Sequence, residues 1–226
     1  MFQQVTKGIH LQVSNTFDSN IGLIQSGDRL VIIDAGTGAH IQNLERGLSS
    51  LNHSIEDITD IVLTHSHIDH IGGVAPIMDR TDVTLHLHEK EASRINSGDM
   101  QLTLSSTFGV QLPEMKIEQS FKDGDELALG ELKATVLHTP GHSEGSCCFH
   151  FEDEGVMFTG DTLFAGGSFG RVDFPTGNPQ QLVKSLGTLT KIEFSTALPG
   201  HMQPILGYAH RSAMSSYKTA KSWFNV

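Results

Sequence analysis

Four ligand-type side chains crowd into one short run of this chain, Thr64-His65-Ser66-His67-Ile68-Asp69-His70. The apolar run Ile61-Val62-Leu63 just ahead of them places the four where a buried strand emerges into a loop, a common position for binding side chains. Side chains two apart on extended backbone share a face, so His65 and His67 can converge on one cation. Once the chain turns after Ile68, Asp69 and His70 face elsewhere and can serve a second cation beside the first. Three more candidates, His142, Asp161 and His201, each directly follow a glycine, in Pro140-Gly141-His142, Thr159-Gly160-Asp161 and Pro199-Gly200-His201. Glycine lets the backbone turn sharply and come close to an ion. A carboxylate can bridge two ions and a neutral imidazole cannot. The pattern therefore predicts His65, His67 and His142 on one metal, Asp69, His70 and His201 on a second, and Asp161 shared.

Donors of this kind, with no cysteine among them, suit two divalent ions: Zn²⁺ first, with Fe or Mn fitting the same set. A water between two cations becomes hydroxide near neutral pH, which makes a nucleophile for hydrolysis. Two divalent ions against Asp69, Asp161 and a hydroxide leave a local charge of about +1. A chain of formal net charge -11 would thus keep one cationic pocket. The other histidines, His10, His40, His53, His86, His88, His138, His150 and His210, lack comparable company and read as surface or structural residues.

Short elements must carry these groups. Strand-like runs at Ile9 to Val13, Asn20 to Gln25 and Leu30 to Asp34 form a hairpin meander with Gly27-Asp28 as a turn. Between Ala39 and Leu51, apolar Ile41, Leu44, Leu48 and Leu51 recur at helical spacing. A strand at Asp60 to Thr64, a short helix within Asp69 to Asp79, a strand at Val83 to Leu87 and a helix at Glu89 to Ile95 follow. The stretch from Asn96 to Lys122 reads as a long irregular loop, the kind that often forms an entrance or lid. Beyond it come strands at Glu126 to Leu129, Glu131 to His138, Ser146 to Phe151 and Val156 to Thr159. A helix at Gln180 to Lys191, a strand at Thr196 to Leu198 and a helix at Tyr208 to Trp223 complete the order. Strands, helices, strands, helices predict an α+β chain of two packed sheets with helices outside, in a single domain spanning 1–226.

Composition narrows the partners. With 15 Lys and Arg against 26 Asp and Glu, the chain repels polyanions, so nucleic acid is a disfavoured partner. No apolar run approaches the about 18 residues of a membrane span, and Met1 to Val13 lacks the pattern of a signal peptide. Cys147 and Cys148 are adjacent and read as reduced thiols of a cytoplasmic protein.

The motifs resemble those of the metallo-β-lactamase superfamily, from Ile33-Asp34-Ala35-Gly36 to Pro199-Gly200-His201. Within it, Thr64 to Gly73, Thr139-Pro140-Gly141-His142-Ser143-Glu144-Gly145-Ser146 and Gly160-Asp161-Thr162-Leu163-Phe164 are most similar to the glyoxalase II group. That resemblance implies a four-layer αββα sandwich with the metals at one edge, and hydrolysis of a small-molecule thioester. Asp69 and Asp161 would be catalytic as well as ligating, since Asp69 would also orient the nucleophile. The stretch Phe169-Gly170-Arg171-Val172-Asp173-Phe174 is similar to short glyoxalase II-like hydrolases and to persulfide dioxygenases. Arg171 is the candidate for pairing with a substrate carboxylate, and Phe169 and Phe108 for shaping the entrance. Full-length glyoxalase II carries a helical C-terminal domain that helps hold glutathione, whereas 25 residues follow His201 here, so the thiol carrier stays open. Two rivals remain. An iron-dependent persulfide dioxygenase would use His65, His142 and Asp161. A serine hydrolase would use Ser143 in Gly141-His142-Ser143-Glu144-Gly145, but that motif needs a helix after the serine, and Ser146 to Phe151 is strand-like.

Overall fold

The computed structural model describes residues 1–226. Its first sheet takes seven strands in chain order: β1 (Gln3–Thr6), β2 (Ile9–Gln12), β3 (Ile21–Ser26), β4 (Arg29–Ile33), β5 (Asp60–Val62), β6 (Thr84–His88) and β7 (Gln119–Phe121). The first four pair antiparallel, with Ser26 opposite Arg29 across the expected turn. From β4 onward the pairing is parallel, which requires crossovers. Helix α1 (Ile41–Ser49) makes the first; α2 (Ile68–Ile71) and α3 (Val74–Met78) make the second; α4 (Glu89–Asn96) begins the third. The second sheet contains β8 (Glu126–Leu129), β9 (Leu132–His138), β10 (Cys147–Phe151), β11 (Val156–Gly160) and β12 (Thr196–Pro199), in spatial order β12-β11-β10-β9-β8. Only β11 and β12 are parallel, joined through α5 (Pro179–Leu189), and α6 (Ala209–Phe224) follows.

Side-chain alternation builds the layers. In β4, Leu30 and Ile32 face α1 with Leu44 and Leu48, while Val31 and Ile33 face the second sheet. In β10, Phe149 and Phe151 fill the space between the sheets, and Cys148 faces α5 with Leu182 and Leu186. The result is the four-layer αββα sandwich. Cys147 and Cys148 are free, buried, and lie on opposite faces of β10. No helix is long and apolar enough to cross a membrane.

The structure departs from the sequence reading in three places. Strand β1 is an added edge strand whose Gln-Gln-Val-Thr sequence has no apolar alternation. Strand β7 lies inside the stretch expected to be wholly irregular, where three residues are too few to show a period. The expected helix within Asp69 to Asp79 is two short helices, broken at Gly72-Gly73, because the Gly73 amide donates to the Gly36 carbonyl at 2.9 Å and the Asp69 carbonyl accepts from the Ser19 amide, so the helical bond between them is not made.

Helix α5 starts beside the site. The Asn178 side chain accepts a hydrogen bond from the Gln181 amide at 2.9 Å, Pro179 occupies the first turn, and the Asn178 amide donates to the Gly141 carbonyl at 2.7 Å. Asn178→Ala removes only the cap, so a loss of about 1 kcal/mol in urea unfolding is expected, with unchanged metal content.

Candidate metal centre

All the predicted donors meet at one edge of the sandwich. His65 and His67 lie in the loop after β5, and Asp69 and His70 in α2; His142 comes from the β9–β10 loop, Asp161 from the end of β11, and His201 from just beyond β12. His65 Nε2 is 3.1 Å from His67 Nδ1, which is 2.9 Å from His142 Nε2. His201 Nε2 is 3.0 Å from Asp69 Oδ2, and that oxygen is 3.8 Å from His70 Nε2. Asp161 stands between the sets: Oδ1 is 3.5 Å from His70 Nε2, and Oδ2 is 3.5 Å from His142 Nε2 and 3.6 Å from His201 Nε2. Donors about 2.0–2.1 Å from a tetrahedral ion lie about 3.3 Å from one another, so these spacings suit one cation per set.

Neighbouring groups fix which nitrogen points inward. Asp34, at φ +61°, accepts from the Thr64 amide, from the Thr64 hydroxyl and from His70 Nδ1, each at 2.8 Å. That leaves His70 Nε2 as the donor atom. His142 Nδ1 donates to the Arg171 carbonyl at 2.7 Å, which likewise frees Nε2. Two atoms then stand out: His70 Nε2 and Asp161 Oδ1 are buried and have no hydrogen-bond partner. A buried polar atom left unpaired is costly, and a cation between them would satisfy both. The residues present therefore fit divalent metal.

The electrostatics agree. Burial, reinforced by the rings of His70, His67 and His142, holds His65 well below the ordinary imidazole range. Burial and then His142 push His67 down to about 3. Both rings thus stay neutral and available as donors. At His70 burial opposes charge, yet Asp34, Asp69 and Asp161 outweigh it and raise the pKa well above the usual value. The cluster draws positive charge to that point, and a metal must displace a proton to bind there. The sign follows: acid competes more strongly for the Asp69, His70 and His201 set than for the three-histidine set. Stepwise acidification with metal analysis is expected to show one equivalent lost at higher pH than the other, the first from the His70 set.

The substrate-side candidates lie at different distances from the donors. Phe169 turns away from the donors; its ring lies 5.8 Å from that of Phe224 and packs with the α5–α6 layer. Phe174 is the aromatic nearest the donors in this segment, with ring centroids 5.2 Å from His67 and 6.3 Å from His142. The Arg171 guanidinium pairs with Asp173 and lies 4.3 Å over the Phe174 ring, while its backbone carbonyl is what orients His142. Phe108 meets Phe17, both exposed, at 5.1 Å. The Ser143 hydroxyl pairs with that of Ser146 at 2.8 Å, and strand β10 follows, so the serine-hydrolase geometry is missing. Asp34, Phe174, Glu91 and Asn20 were not singled out from sequence. Of these, Asp34 and Phe174 sat in quoted motifs, though neither was given a role.

Two packed sheets between helices, with histidines and aspartates gathered at one edge, define a metallo-β-lactamase architecture. Residues 15–201 match the metallo-beta-lactamase superfamily, and the chain belongs to that superfamily. A probable metallo-hydrolase of Bacillus subtilis (strain 168), YqgX, is 32% identical over 189 residues, covering 81% of this chain and 84% of the relative. The human acyl-coenzyme A thioesterase MBLAC2 is 30% identical over 214 residues, covering 81% of this chain and 72% of the relative. The crystal structure of TTHA1623 in a di-iron-bound form is similar with a TM-score of 0.70 and 28% identity, over 86% of this chain and 92% of that one.

Proposed function

We propose that the protein hydrolyses thioesters of a small-molecule thiol at this edge, in the manner of the glyoxalase II group. His65, His67 and His142 would hold one divalent cation, Asp69, His70 and His201 the second, and Asp161 both, with zinc the first candidate. When bound, such ions activate a shared water at neutral pH and polarise a carbonyl oxygen. The observation that carries hydrolysis is the pair of donor sets with Asp161 between them. The choice of a thioester is supported by the similarity to the human thioesterase.

The chain's own residues have defined parts in this reading. Asp69 places one oxygen at His201, and its partial exposure lets the carboxylate orient a nucleophile arriving from solvent. Asp34 and the Arg171 carbonyl keep the His70 and His142 rings from rotating. Asp34 itself is committed to Thr64 and His70 and is not free to act as an acid. A thiol, with an ordinary pKa of about 8.5, leaves as thiolate without one. Phe174 and the Arg171 side chain stand at the approach, where the exposed Arg171–Asp173 pair can exchange for a substrate carboxylate.

The test is a panel run in parallel on zinc-loaded and iron-loaded protein: a coenzyme A thioester, a glutathione thioester, a phosphodiester, and a glutathione persulfide in an oxygen electrode. Thioester turnover that a chelator abolishes and zinc restores is the expected result. Oxygen uptake with the persulfide and no thioester cleavage would replace this reading with the dioxygenase one.

A further inference from the structure

Each donor set is tied down by one buried side chain outside the metal-binding motifs. Glu91, in the first turn of α4, is 1% exposed and forms no ion pair in the structure. One oxygen accepts from the Ser66 amide at 2.8 Å and the other from the Gly145 amide at 2.9 Å. Ser66 separates His65 from His67, and Gly145 lies in the loop that carries His142. A single carboxylate therefore joins the two loops that make the three-histidine set. The contact is tight, since a Cβ on Gly145 would lie 2.6 Å from Glu91 Cγ. Burying a carboxylate is expensive, and here two backbone amides compensate it.

Asn20, just before β3 and 3% exposed, does the same for the other set. Its side-chain oxygen accepts from the Ser14 amide at 2.8 Å, and its amide nitrogen donates to the Pro199 and Met202 carbonyls at 2.9 and 2.8 Å. Those carbonyls bracket His201 on both sides. Met202 sits at φ +70°, a conformation that a residue with a long side chain adopts only at a cost, so the Asn20 contact helps hold it there. The neighbouring Ser19 amide donates to the Asp69 carbonyl at 2.9 Å.

We propose that Glu91 and Asn20 are positioning residues, one for each cation. Glu91 sets the affinity of the His65, His67 and His142 set, and Asn20 that of the Asp69, His70 and His201 set. This rests on the two-cation reading of the site and not on which bond is hydrolysed. The test is a zinc titration of metal-free protein followed through the nitrogen-15 signals of each histidine ring, which report coordination residue by residue without any substrate.

In the unaltered protein both ring sets should shift, ending at two equivalents; a single equivalent there would overturn the two-cation reading itself. Glu91→Gln keeps the volume but only one acceptor oxygen. It should weaken zinc at the His65 set about 10- to 100-fold and leave the His70 and His201 signals titrating within about twofold of normal. Asn20→Ala should do the reverse, and Glu91→Asp should recover part of the loss. Equal weakening of both sets in either variant, or no weakening, would overturn the proposal. So would failure of both Glu91 variants to fold in zinc, because the residue would then serve the fold and not one site.

Discussion

An Asp161→Ala variant is expected to fold, to hold at most one metal equivalent, and to turn over thioester more than about 100-fold more slowly than the unaltered protein. Loss of an outer contact to a metal ligand already costs roughly 10- to 100-fold, which sets the floor for losing a ligand shared by two ions. Its carboxylate reaches both sets, Oδ1 toward His70 and Oδ2 toward His142 of one set and His201 of the other. Without the carboxylate, two like charges a few ångströms apart lose the negative group between them, and their repulsion in a poorly solvated site opposes double occupancy. The fold has less to lose. The Asp161 carbonyl still accepts from the Gly170 amide at 2.9 Å, and the carboxylate's close neighbours are the histidines of the cluster. Metal analysis, far-ultraviolet circular dichroism and kcat check the three parts separately. Two bound equivalents with an unchanged rate would remove Asp161 from the shared position. Asp161→Asn tests charge against shape: it preserves the volume and one oxygen, and is expected to remain as impaired as the alanine variant if the bridge requires the anion.

The gathering of these side chains at one edge was legible in the sequence because its signals are local. His65 to His70 lie within six residues, and the other three share a Gly-before-ligand pattern in loops that follow strands. The layers were legible because β4 and β10 carry apolar residues on both faces and α1 and α5 carry one apolar stripe each. The supports were not. Asn20 acts 179 positions away on Pro199, and Glu91 joins loops 25 and 54 positions away. Nothing in the residues around an ordinary Glu or Asn announces such a contact. The exchange of Phe169 for Phe174 has a similar cause. Both aromatics border the same short segment, but the Gly170 amide is drawn to the Asp161 carbonyl, and the chain turns Phe169 outward there and brings Phe174 back over His67. Composition gave no sign of that turn, because it depends on a hydrogen bond to a strand end closed by tertiary packing.

Gly200→Ala is expected to reduce turnover by roughly 100-fold and to impair zinc binding at the His70 set, although it alters no donor. The reason is space rather than backbone strain, since Gly200 is not among the residues at positive φ. A methyl carbon there would overlap Asp161 Oδ1 and lie 2.7 Å from Cε1 of the His70 ring. The backbone cannot withdraw, because the Gly200 amide donates to the Gly160 carbonyl at 2.8 Å and its carbonyl accepts from the Asn20 amide at 2.6 Å. The ligands must therefore move, and a displacement near 1 Å at reacting groups costs on the order of 100-fold in rate. Overpacking of this kind typically also lowers stability by about 1–3 kcal/mol. The loss separates from a general folding defect through the histidine ring signals: His70 and His201 should fail to reach their zinc-bound positions while His65 and His67 still do. A Gly200→Ala protein with both sets filled and normal kcat would show that the edge is looser than these distances allow, and that the glycine before His201 serves only the turn.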